Sequence, residues 1–152
     1  ANTLGNYALF LMQQQRYDKA AEQYERAIAV SPEDANDLGN YAKLLFVQGN
    51  RTKAIEMLER SEKYQENWPD GLSLELAFYR YAHCQPQPIT LLKKLMVDGI
   101  PSNLMNLEDN VRCAEQDGHS NPALLAALAK VISYNEPIEI LEQFPEWSEA
   151  ND

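Results

Sequence analysis

The chain has 152 residues, 45% of them apolar, and a formal net charge of −10. This is one domain's worth of chain, with enough apolar material for a continuous core. The negative balance argues against a nucleic-acid partner, whose phosphates it would repel. No run reaches the roughly 18 apolar residues that a membrane span requires, so none is expected.

In chain order, Leu4, Tyr7, Ala8 and Leu11 stand at helical spacing and predict a first helix. Tyr17, Ala20, Ala21, Tyr24, Ala27 and Ile28 predict a second. Ser31-Pro32-Glu33-Asp34 reads as a stop followed by a restart. Leu38 to Leu45, then Ile55 and Leu58, repeat the arrangement, with Gly49-Asn50 as the turn between them. The repetition is literal: Leu4-Gly5-Asn6-Tyr7-Ala8 returns as Leu38-Gly39-Asn40-Tyr41-Ala42 after 34 residues. Residues 1–34 agree with 35–68 at 14 positions, where ordinary amino-acid usage would give about two. A fixed period of this length marks stacked helical hairpins and predicts a binding scaffold instead of a catalyst.

Leu4, Ala8, Leu11, Ala20, Tyr24, Ala27 and Pro32 in the first unit, and Leu38, Ala42, Leu45, Gly49 and Ala54 in the second, follow the tetratricopeptide pattern. Residues 1–68 therefore resemble the tetratricopeptide-repeat family. Their Leu-x-Asn-x-Ala opening is most similar to repeats of the kinesin light chain and O-linked N-acetylglucosamine transferase type. Gln15 stands where glycine is usual, Ser61 where alanine is, and Glu66 where proline is. The resemblance implies that the first helix of each unit lines a concave groove, with Asn6 and Asn40 facing it and holding a ligand's backbone. It disfavours the two-carboxylate clamp of chaperone adaptors, because Gly5 and Leu9 occupy the positions that clamp fills with lysine and asparagine.

Beyond Trp68-Pro69-Asp70-Gly71 the repeat fades while helical spacing continues. Leu72 to Tyr81 predict a helix ending near Cys84, Gln85-Pro86-Gln87-Pro88 a break, and Ile89 to Met96 a further helix closed by Asp98-Gly99. Leu104 to Ala114 and Pro122 to Tyr134 predict another pair, the latter opened by Asn121 as N-cap with proline following. Glu136 to Phe144 reads as a last short helix ended by Pro145. From Glu136 onward there are six acids and no base, which suits a solvating cap, and the aromatics of Phe144-Pro145-Glu146-Trp147 are expected to cover the last hairpin.

The expected fold is thus all-α, a right-handed superhelical array of antiparallel helix pairs forming a single helical repeat domain. Repeats cover 1–34 and 35–68, divergent hairpins 69–101 and 102–135, and a capping helix with acidic tail 136–152. The start at Ala1, directly in repeat register, suggests a fragment of a longer protein with more repeats upstream.

The candidate peptide-binding residues are Asn6, Asn40, Gly5, Gly39, Leu9, Gln13, Lys43 and Val47. A carboxamide offers a donor and an acceptor together and can pair with both polar groups of one peptide unit. With neighbouring helices about 10 Å apart and an extended chain rising about 3.3 Å per residue, the two asparagines would grip peptide units about three residues apart. Glycine inside a helix costs about 1 kcal/mol against alanine. Gly5 and Gly39 therefore need a reason: either a groove floor opened to a ligand backbone or close packing between adjacent helices. Leu9 and Val47 would supply apolar pockets on the same face, which Gln13 shares, and Lys43 a lone cation.

His83-Cys84 and Cys113 with His119 fit no zinc spacing, and no phosphate loop or nucleophile elbow occurs. No catalytic residue, metal or cofactor is expected. Two widely spaced cysteines are expected to be free thiols of a reducing, cytoplasmic compartment, with pairing left open. The expected function is non-catalytic: a protein-interaction scaffold holding an extended peptide from a protein partner. The alternative is a structural or regulatory arm of a larger assembly, or a self-association module.

Overall fold

A computed structural model of the chain describes residues 2–99 and 107–151. The described residues are helical, without a strand, and form two compact units, Ala1–Pro69 and Asp70–Asp152. This is an all-α helical-repeat fold.

In the first unit, α1 (Asn2–Gln13) pairs with α2 (Tyr17–Val30), and α3 (Ala35–Val47) pairs with α4 (Arg51–Glu62). The hairpins meet mainly through α2 and α3. Ala8, Leu11, Ala20, Tyr24 and Ala27 are fully buried in the first hairpin, and Leu38, Ala42 and Ala54 in the second. Small residues at corresponding positions let each pair approach closely. Both hairpins turn in the same way. Arg16 N–H donates to Leu11 O and Asn50 N–H to Leu45 O, each at 2.9 Å, a helix-ending pattern that needs a left-handed residue just before the donor. Gly49 fills that position at φ 81°, and Gln15 fills it at φ 59° despite its side chain.

Asp34 restarts the chain as the sequence predicts, its carboxylate accepting Asp37 N–H at 3.0 Å as the N-cap of α3. Asn50 does the same for α4 through Lys53 N–H. Ser61, one of the departures from the repeat pattern, is buried. Its hydroxyl donates to Ala35 O at 2.7 Å and accepts from the Trp68 indole at 2.8 Å, tying α4 and the following turn to the start of α3.

The second unit contains α5 (Leu72–His83), α6 (Thr90–Val97), α7 (Glu108–Gln116), α8 (Pro122–Tyr134), a 3-10 turn (Ile138–Gln143) and the short α9 (Pro145–Ser148). Helix α5 packs on α6 and α7, and α7 on α8. Asn121 caps α8 by accepting Leu124 N–H at 3.2 Å. Leu104 and the expected boundary at 101/102 lie outside the described residues.

The short 3-10 helix Ile138–Gln143 ends directly before Pro145, as expected, but Pro145 also begins α9, where its missing N–H is no loss. Phe144 before it is extended, as a residue preceding proline tends to be. The expected helix over 136–144 is a 3-10 turn. Trp147 of α9 is only 1% exposed. Lys93 donates to Trp147 O at 2.7 Å and Ala150 O at 3.1 Å, satisfying carbonyls at the end of α9. The Glu146 carboxylate accepts from Tyr81 Oη at 2.7 Å and Asn121 Nδ2 at 3.0 Å.

Candidate functional site

A helix advances about 100° per residue, so α1 has four faces that can be read one at a time. Leu4, Ala8 and Leu11 face the core shared with α2. Gly5 and Met12 lie on the side toward α3. Asn6, Leu9 and Gln13 form a third face, on which Asn6 and Gln13 are exposed and Leu9 is half-buried. Thr3, Tyr7, Phe10 and Gln14 form a fourth.

The third face is the expected groove lining. It presents amide, aliphatic and amide groups one turn apart, so a ligand backbone could be hydrogen-bonded at both ends of an apolar step. The repeat-equivalent face of α3 carries Asn40, Lys43 and Val47. It is not presented in the same way. Asn40 is 6% exposed and Lys43 5%, while Val47 is half-buried. The Asn40 carboxamide donates to Asn36 Oδ1, one turn back in the same helix, at 3.2 Å. The expectation that Asn6 and Asn40 stand as equals needs correcting on this point: identical letters occupy identical helical positions but differ in access.

At Gly5 the structure selects between the two readings. A Cβ added there would lie 2.8 Å from Asp37 Cγ and closer still to Oδ1. Glycine is therefore present so that α1 can accept the Asp37 side chain of α3, and Gly5 is buried rather than a groove floor. Gly39 is buried as well.

Asp37 itself was not legible as a special residue. It is 3% exposed, and its Oδ2 has no hydrogen-bond partner among the described residues. Burial, with the nearby Asp34 carboxylate adding to it, raises its pKa to about 6. The only available signal was a mismatch: position 37 departs from Thr3 immediately before the duplicated pentapeptide.

A second cluster joins the two hairpins. Tyr41 Oη donates to Glu25 Oε1 at 2.7 Å, and Lys53 Nζ donates to the same oxygen at 3.1 Å. The Lys53 ammonium stands 5.3 Å from the Tyr41 ring centroid, and Tyr41 stacks on Tyr24 at 5.7 Å. The Tyr41 hydrogen bond, then that of Lys53, holds the Glu25 carboxyl below its ordinary range. Burial, then the Glu25 bond, pushes the Tyr41 hydroxyl up.

The two histidines of the second unit are buried and make local contacts. His119 meets Tyr81 edge-on, its Nε2 lies 3.2 Å from Tyr81 O, and its Nδ1 accepts Asn121 N–H at 3.0 Å. The Nε2–H tautomer satisfies both contacts. His83 pairs with buried Asn110. No disulfide joins Cys84 and Cys113, and burial, then Asp117, pushes the Cys113 thiol up. Among the described residues, no group of three or more histidine, cysteine or acidic side chains could hold a metal ion, and no helix is long and apolar enough to cross a membrane.

Residues 11–76 match the family model described as Tetratricopeptide repeat. The match covers less than half of the chain and identifies a tetratricopeptide-repeat segment within it. No curated protein and no solved structure matches the chain.

Proposed function

We propose that this chain, whose residues 11–76 form a tetratricopeptide-repeat segment, is a non-catalytic module that holds an extended peptide of a protein partner against α1. Tetratricopeptide repeats generally mediate protein–protein interaction, and the peptide reading adds the mode. The observation that carries it is the face made by Asn6, Leu9 and Gln13, with both amides exposed on either side of a half-buried leucine. Amides and an aliphatic group neither take up nor release protons near neutral pH. Such a face is suited to recognition and unsuited to acid–base chemistry. Val47, half-buried on α3, offers a further apolar contact. Asn40 and Lys43 join once the peptide replaces their present surroundings, Asn40 by exchanging its bond to Asn36 for one to the peptide.

The test is selection of displayed random peptides on the chain, followed by binding to an Asn6→Ala, Gln13→Ala double variant. Both residues are exposed, so the fold should persist, as circular dichroism would verify. Two lost hydrogen bonds of about 0.5–1.5 kcal/mol each predict roughly tenfold weaker binding or more. Selected peptides that bind the double variant as tightly as the parent would sink the reading.

A further inference from the structure

Helix α8 buries Leu124, Leu125, Leu128 and Ala129 along one face. The segment that follows it is held differently. Of residues 142–151, Trp147 alone is buried. The backbone hydrogen bonds of the segment stay local: Ser148 N–H donates to Phe144 O and Glu149 N–H to Pro145 O, each at 2.9 Å. Its ties to the rest of the second unit run through Tyr81 of α5, Lys93 of α6 and Asn121 ahead of α8. Lys93 Nζ donates to Trp147 O and Ala150 O and stands 5.5 Å from the Trp147 ring centroid. Tyr81 Oη and Asn121 Nδ2 donate to the two oxygens of the Glu146 carboxylate. One buried aromatic anchor, a paired carboxylate and a cation on the backbone carbonyls are the means by which a short peptide is recognised.

If the segment left, Tyr81, Lys93 and Asn121 would lose these acceptors, and an apolar slot the size of an indole would open. A site emptied in that way selects a ligand that restores the same groups, because unmet donors are costly. The segment also does not fill the surface it lies on. A depression of about 300 Å³ stays open beside it, lined by Thr90, Lys94, Val97 and Asp98 along α6 and by Ala150 and Asn151. An incoming chain can take hold there before it displaces the tail. Asn135, Glu136 and Pro137, ahead of the segment, are exposed and supply a hinge.

We propose that residues 145–151 occupy, in cis, a peptide-binding site of the second unit, and that this site takes a segment of another protein presenting glutamate followed directly by tryptophan in a proline-started helical turn. The partner's tryptophan enters the slot of Trp147. Its glutamate accepts from Tyr81 Oη and Asn121 Nδ2, and carbonyls at the end of its turn accept from Lys93. The chain's own tail is the internal competitor. Tethered, it competes at an effective concentration of the order of millimolar and keeps weaker peptides out. A second copy exchanging tails would recover the same contacts and lose the tether. A foreign segment gains further contacts in the open depression, which the tail leaves unused. This site shares no residue with the α1 face, so either binding can fail without the other.

The test uses the full chain carrying Trp147→Ala, which empties the slot, and a fluorescein-labelled synthetic peptide of residues 143–151. The variant should bind the peptide, and the parent should bind it at least about tenfold more weakly because its own tail competes. A peptide carrying Trp147→Ala or Glu146→Gln should bind the variant at least about tenfold more weakly than the unaltered peptide. Adding Lys93→Met to the variant should weaken binding of the unaltered peptide in the same way. In the parent, the amides of Ser148 and Glu149 should exchange hydrogen faster than those of Leu128 and Ala129, because the segment opens while α8 stays folded. A folded Trp147→Ala chain that ignores the peptide would overturn the proposal. So would a variant that loses its helical circular dichroism, or tail amides that exchange only together with α8, since the segment would then be part of the core. A parent that elutes as a dimer with exchanged tails would overturn it too, the occupant then being a second copy.

Discussion

The approach of α1 to α3 is set at the scale of one side chain. Gly5 lacks the carbon that would strike Asp37, and Asp37 in turn is a carboxylate with an unpartnered oxygen in a buried seam. The dipole at the start of α3 favours its charge by about 0.3–1 kcal/mol, but an unmet buried polar group costs on the order of 1–3 kcal/mol. The cost prevails, and the pKa rises from 3.8 to about 6. The folded chain therefore binds a proton between pH 4 and 6 that the unfolded chain does not. This group's destabilising effect is full above pH 6 and fades as pH falls toward 4. Asp37→Asn should be more stable than the parent at pH 7.5, by on the order of 1–3 kcal/mol, and the gap should narrow at pH 4.5. Urea unfolding at both pH values measures it, and a gap independent of pH would refute the assignment.

At the scale of the element, the same hairpin turn is built twice with unequal material. The turn hydrogen bonds agree between repeats, yet Gln15 holds the left-handed conformation that Gly49 adopts without strain. A side chain there costs roughly 1–2 kcal/mol, offset in part by glycine's greater freedom in the unfolded chain. Gln15→Gly should accordingly stabilise the protein by about 0.5–1 kcal/mol, raising the midpoint of denaturant unfolding. An unchanged or lowered midpoint would show that contacts of the glutamine side chain outweigh its backbone strain. The turn was legible because periodicity and breaker residues are local signals, as Asp34, Asn50 and Asn121 show by capping the helices they precede. Pro145 was read only as a stop, and α9 beyond it was missed, because proline closes one helix and opens another with equal ease and only packing decides. Trp147 is buried and Lys93, from 54 residues away, holds its carbonyl, so the chain turns into α9 there.

For the whole molecule, two compact units share the chain, and the tetratricopeptide-repeat segment occupies chiefly the first. The all-α architecture followed from the 34-residue period and from helical spacing beyond it. The candidate site was legible only in part. Helical geometry put Asn6, Leu9 and Gln13 on one face, and the structure leaves that face accessible. The same geometry put Asn40 and Lys43 on the equivalent face of α3, but exposure depends on neighbours that a helical wheel does not contain. Asp37 and the Glu25–Tyr41–Lys53 cluster escaped for the same reason, since they exist only where one hairpin meets the next. The acids near the C-terminus read as solvation, yet Glu146 anchors Tyr81 and Asn121. The proposed function rests on a peptide-holding face of α1. It is tested most directly by an amide chemical-shift map of the chain titrated with a peptide selected on it. The side-chain amides of Asn6 and Gln13 should shift most, with Val47 following. Shifts confined to residues 70–152, with both α1 amides unmoved at saturation, would contradict it.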